Sequence, residues 1–190
     1  SVRHPEFLTA AARYIESEFE SMGYAIERQP LGIKGIETHN IIARLVPEKI
    51  SPESPWIVVG AHYDAYGEDN PGADDNASGV AGLLELAKMF KTNQHQLTFP
   101  VEFVAYSTEE PPYFAGPNMG SAIHAKNFKQ SGKDVRMMFS IEMIGYYSDE
   151  LFSQHFPNNL LYLFYPWRGD FIGIIGSFDD SVNVRAIKRS

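Results

Sequence analysis

The 190-residue chain contains no cysteine. Disulfides and thiolate metal sites are therefore excluded, and any bound metal must be held by His, Asp or Glu. Long hydrophobic runs are missing too: nothing approaches the roughly 20 apolar residues of a membrane-spanning helix. The first residues, SVRHPEFLTAAARYIESEFESMGY, lack the apolar core of a signal peptide. The chain thus reads as soluble and already processed, with secreted, periplasmic and cytoplasmic locations all open. Positive charge is scarce, with 16 Lys and Arg against 24 Asp and Glu and a net charge of −8. Nucleic acid and anionic membrane both require a cationic face, so neither is an expected partner. What the chain does have is apolar material, 44% hydrophobic and 13% aromatic residues, enough for a sizeable core in one domain over 1–190.

The apolar residues are patterned. Phe7, Leu8, Ala11, Ala12, Ile15, Phe19 and Met22 recur at helical spacing between Pro5 and Gly23, predicting an amphipathic helix. YAIERQPL and ETHNIIARLV read as two strands joined by a turn over Gly32–Gly35. WIVVGAH is too apolar for a half-exposed strand and suits the middle of a parallel sheet. Helix and strand then alternate: ASGVAGLLELAKMFKTN, TFPVEFVAYS, MGSAIHAKNFKQSG and VRMMFSIEMIGYY. GDFIGIIGSF predicts one more strand, and DDSVNVRAIKRS a helix capped by Asp179 or Asp180. Alternation of this kind implies right-handed crossovers and a sheet covered on both faces.

Three of these strands end in metal-type side chains. His62 and Asp64 follow WIVVGA, Glu109 and Glu110 follow VEFVAYST, and Glu142 lies within MMFSIEMIGY. Ligands of open α/β sheets bind at the carboxyl ends of strands, so these places converge on one crevice, joined by Asp74 and Asp75 at the start of the next helix. Carboxylates that close together repel and raise one another's pKa unless a cation neutralises them. Imidazole with carboxylates and no sulfur suits Zn²⁺ first, with Mn²⁺ or Co²⁺ as alternatives. Asp64 is placed to accept the second imidazole N–H of His62 rather than to bind metal. Of the adjacent Glu109 and Glu110, one can bind metal while the other acts as general base.

AHYD, GADDNASG and STEE, in this order and followed by SIEMIGY, resemble the co-catalytic di-zinc aminopeptidases. The wider group includes glutamate carboxypeptidase, the transferrin receptor and glutaminyl cyclase. The resemblance implies a three-layer α/β/α sandwich with a mostly parallel mixed sheet, the zinc-peptidase (phosphorylase/hydrolase-like) fold. It implies His62 and Glu142 as ligands of one zinc, Asp75 as the bridging carboxylate with a cis bond to Asn76, Glu110 as ligand of the second zinc, and Glu109 as base. The activity implied is aminopeptidase-type exopeptidase hydrolysis of peptides, in which a water shared by two zinc ions is acidified to about 7.

Two departures stand out. Many members have Asp where this chain has Glu142. The family's last ligand is a histidine several dozen residues further on, whereas the 48 residues after Glu142 hold only His155, which is not expected to replace it. The chain is therefore expected to be C-terminally truncated relative to a full catalytic domain, with one zinc or none. A homo-oligomer or partner chain is expected over the unfinished sheet edge. Two other readings stay open: glutaminyl cyclisation on the same fold, and a catalytically inactive binding or assembly domain.

Other residues carry plainer readings. His4, His39, His95, His124 and His155 read as solvent-facing or capping, and Glu68 and Asp69 as solvated loop charges. Tyr113, Phe114, Tyr146 and Tyr147 are candidates for the wall of a substrate pocket. Asn76-Ala77-Ser78 matches a glycosylation acceptor, but its place inside the acidic motif argues against a glycan.

Overall fold

Pro5 opens the first helix at a position where no backbone N–H is needed, and Gly23, with φ +79°, ends it. This helix, α1 (Pro5–Ser21), buries Leu8, Ala12, Ile15 and Phe19 along one stripe. The computed structural model describes residues 4–35, 37–67 and 70–188. They fall into two compact units, Ser1–Gly145 and Tyr146–Ser190.

The first unit holds a five-stranded sheet of β1 (Ile26–Pro30), β2 (His39–Leu45), β3 (Trp56–His62), β4 (Val101–Tyr106) and β5 (Val135–Ser140), in the order β1-β2-β4-β3-β5. β2 pairs antiparallel with both β1 and β4, while β3 pairs parallel with β4 and β5. Only β2 is thus reversed, and the sheet is mixed but mostly parallel, as the sequence implies. From β3 the chain crosses one way to β4 through α2 (Gly79–Thr92), then back over β3 to β5 through α3 (Gly120–Gln130). Right-handed crossovers running in opposite directions place their helices on opposite faces. The packing agrees. Val59, Ala61, Ile41, Phe103 and Ala105 meet α1 and α2, whereas Val58, Ile42, Val104 and Tyr106 meet Phe128 of α3. Three layers result, and the crossovers leaving in opposite directions about β3 and β4 mark the crevice at the carboxyl ends of these parallel strands. Gly60 is needed here, because a Cβ on it would lie 2.3 Å from the Tyr106 ring.

The sheet is unevenly covered. Every residue of β4 is buried, and all of β3 but Ile57, while β5, the last strand, is exposed or half-exposed throughout. β5 is also shorter than VRMMFSIEMIGYY predicts, stopping at Ser140, so Glu142 lies just beyond it rather than within a strand.

The second unit is built differently. Ser148 and Gly169 form an isolated bridge, Asn159–Leu163 makes a 3₁₀ turn, and Phe152 stacks on Trp167 at 5.1 Å. GDFIGIIGSF is not a strand. A strand needs a neighbour for its N–H and C=O groups, and beyond the bridge at Gly169 this run has none among the described residues; Ile172, Ile175 and Phe178 stand exposed. α4 (Ser181–Ile187) follows Asp180, whose carboxylate accepts hydrogen bonds from the Ser177 N–H and hydroxyl instead of from the helix. No helix among the described residues is long and apolar enough to cross a membrane.

Candidate metal centre and active site

Register brings the acids together. Gly60 pairs with Ser140, so two residues further on His62 and Glu142 leave neighbouring strands at the same level, and His62 pairs with Tyr106, three residues before Glu109. His62 is only 3% exposed and lies at the centre. Its Nε2 stands 3.0 Å from Asp75 Oδ1, 3.2 Å from Glu142 Oε1 and 3.8 Å from Glu109 Oε2. Two groups of donors, each within 4.8 Å, emerge among the described residues: His62, Asp75 and Glu142, and His62, Glu109 and Glu110. His62 offers the one nitrogen atom in both.

The other ring nitrogen fixes the tautomer. Nδ1 lies 3.0 Å from the main-chain oxygen of Asp64 and 3.6 Å from its carboxylate. A carbonyl only accepts, so Nδ1 carries a proton, and once the ring is neutral it is the Nε2 lone pair that faces the acids. Beside this imidazole contact the Asp64 carboxylate has further work: Oδ1 accepts the Glu109 N–H at 3.0 Å and Oδ2 the Glu110 N–H at 3.1 Å. It therefore anchors the turn that presents both glutamates, a turn in which Thr108 has φ +59°. Asn40, fully buried on β2, supports the same turn by accepting the Ser107 N–H at 3.1 Å and donating to the Gly120 carbonyl at 2.8 Å.

Asp75 reaches the centre from an irregular turn, Ala73–Ser78, in which Asp75 and Asn76 leave helical backbone angles. The bond between them is cis. Asn76 is buried and bonded on every side of its amide, a role the sequence pattern does not disclose.

Electrostatics reflect the crowding. Burial alone would lower the His62 imidazolium, but the Asp64 interaction and the charges of Glu142, Asp64 and Glu109 outweigh it, raising it from 6.5 to about 9. Burial pushes Glu110 up to about 6, helped by the negative charges of Asp75 and Glu109. Burial likewise raises Glu109 and Glu142, with His62 pulling the other way. Carboxylates held this close favour protons or cations. One imidazole nitrogen and several carboxylate oxygens without sulfur fit a divalent ion of the zinc type.

Two of the remaining histidines have acidic partners away from this centre. His39 contacts Glu16 at 2.9 Å, and His124, far from solvent-facing, is buried between Glu102 at 2.6 Å and Tyr106 at 3.2 Å. Of the candidate wall residues, Tyr113 is half-buried and Phe114 exposed, while Tyr146 and Tyr147 belong to the second unit. Glu68 and Asp69 lie outside the described residues.

Residues 40–169 match peptidase family M28. The chain belongs to that family. Uncharacterized protein YfbL of Escherichia coli K12 is 42% identical to it over 188 residues, 95% of this chain and 55% of YfbL. Leucine aminopeptidase 1 of Trichophyton equinum is 35% identical over 118 residues, 57% of this chain and 31% of that one. A Zn-dependent exopeptidase from Parabacteroides distasonis superposes with a TM-score of 0.55 at 24% identity, over 76% of this chain and 56% of that one, which shows the shared fold. This M28 chain thus spans about half the length of YfbL and less than a third of the fungal enzyme.

Proposed function

We propose that this chain carries the metal-binding and proton-transfer residues of a zinc-dependent exopeptidase of the aminopeptidase type. The observation that carries the reading is the His62 imidazole, its Nε2 facing Asp75, Glu142 and Glu109 from three separate elements within 3.8 Å. Membership of M28 and the likeness to a leucine aminopeptidase support a peptide substrate with a free N-terminus. His62, Asp75 and Glu142 would hold one zinc, and Asp75 and Glu110 would contribute to a second. When bound, zinc polarises the scissile carbonyl and lowers the pKa of water towards about 7.

Glu109 is the proton carrier. Its carboxylate, raised by burial and by neighbouring acids, takes a proton from the attacking water and delivers it to the amine nitrogen as the C–N bond breaks. Asp64 keeps this carboxylate in place through the backbone of Glu109 and Glu110. His62 keeps its Nε2 lone pair turned to the site because Nδ1–H is held by the Asp64 carbonyl.

Zinc-loaded chain should hydrolyse an aminoacyl anilide, lose that activity to a chelator, and regain it with zinc. A zinc-loaded chain that cleaves neither the anilide nor a peptide with a free N-terminus contradicts the reading.

A further inference from the structure

We propose that Asn76 is a positioning residue for the metal centre: its side-chain amide sets the Glu142 carboxylate against the Asp75 turn. The inference rests on the zinc-site reading above and assigns a role to a residue that is not itself a ligand. Asn76 is 1% exposed, and its amide makes four hydrogen bonds. Nδ2 donates to the Ile141 carbonyl at 2.9 Å and to Glu142 Oε2 at 3.2 Å. Oδ1 accepts from the N–H of Gly79 at 3.0 Å and of Met143 at 3.2 Å. Both donors and both acceptor sites of a primary amide are thereby used, a pattern that no other side chain of this size supplies.

The partners explain the position. Ile141, Glu142 and Met143 form the segment just past β5, and Gly79 is the first residue of α2. Asn76 thus ties the exposed end of β5 to the helix behind the site, next in sequence to Asp75. Glu142 has 45% of its side chain exposed and uses its other oxygen on His62, so the Asn76 N–H is what orients the oxygen left over. The space is built for it: a Cβ at Gly79 would fall 2.2 Å from Asn76 Oδ1.

Asn76→Asp keeps the two acceptor contacts to Gly79 and Met143 and loses both donations, to Glu142 and to the Ile141 carbonyl, so unfolding without metal and the Glu142→Ala background are what separate positioning from folding. The measurement is zinc affinity by calorimetry on four chains: wild type, Asn76→Asp, Glu142→Ala and the double variant, each checked for thermal unfolding without metal. The expected result is zinc binding weakened about 10–100-fold by Asn76→Asp, the usual scale for losing a partner of a metal ligand. In the Glu142→Ala background the same change should cost no more than about twofold, since the group it acts through is gone. Wild-type affinity in Asn76→Asp overturns the proposal, and so does an equal loss with and without Glu142, which would mark a purely structural residue. Should wild type take up no zinc, the proposed function falls and this inference falls with it. Should wild type bind while Asn76→Asp binds equally well, only the inference falls.

Discussion

The carboxyl ends of β3 and β4 and that of β5 bring acids to the same centre by opposite means. β3 and β4 have a strand on either side and helices on both faces, and His62 and Asp64 at the end of β3 are 3% and 2% exposed. There the main chain does the holding: Nδ1–H of His62 on a carbonyl, and two backbone N–H groups on Asp64. Among the described residues β5 has a neighbour on one side only, its Val135 and Met138 are 48% and 45% exposed, and Glu142 beyond it is held by side chains, His62 and Asn76 among them. One half of the centre is fixed by the fold, while the other depends on partners within the centre itself.

Substitutions that strike the fixed half should have the larger effects. Glu109→Gln should cost on the order of 10²–10⁴-fold in turnover of an aminoacyl anilide and leave zinc affinity nearly unchanged. Full activity in that variant would remove Glu109 from its role. Phe103→Ala, in the centre of β4, should lower stability by about 3–5 kcal/mol in a denaturant titration, since its ring is fully buried. Asp64→Asn, which replaces one of two acceptors with a donor facing an N–H, should weaken zinc binding about 10–100-fold by calorimetry.

The pH dependence tests the centre as a whole. His62 is raised from 6.5 to about 9, so in the metal-free chain its contribution to stability is complete below 6.5 and is lost as pH rises through about 9. A cation must displace that proton. Zinc affinity should therefore climb by up to about tenfold per pH unit towards 9 and then level off, with Glu110 adding to the rise below about 6. An affinity flat from pH 6 to 9 would mean that His62 is not a ligand. At the weak end, Met138→Ala on β5 should change stability by no more than about 0.5 kcal/mol. A loss like that of Phe103→Ala would erase the contrast between the two halves.

The sequence made the strand ends legible because apolar β-forming runs stop abruptly at His62, at Glu109 and near Glu142, and an open sheet brings such ends to one edge. What it could not show was who holds whom. Asp64 reads as the acceptor of the imidazole, but a main-chain oxygen leaves no trace in residue type, and the carboxylate was free to anchor the next turn. Asn76 reads only as the neighbour of Asp75 and the start of a glycosylation match that its place argues against, since its four partners come from two segments, the farther of them up to sixty-seven residues along the chain. His124 and Glu102 meet only through the packing of α3 on β4. GDFIGIIGSF has the composition of a strand, and composition does not provide the neighbour that makes one.

The account stands on a divalent cation lying among His62, Asp75 and Glu142. Anomalous diffraction at the zinc edge from crystals of the chain grown with zinc tests it directly. The account predicts a peak about 2.0–2.2 Å from His62 Nε2 and from carboxylate oxygens of Asp75 and Glu142. A zinc-replete crystal with no peak there, or with its zinc bound elsewhere, would contradict it.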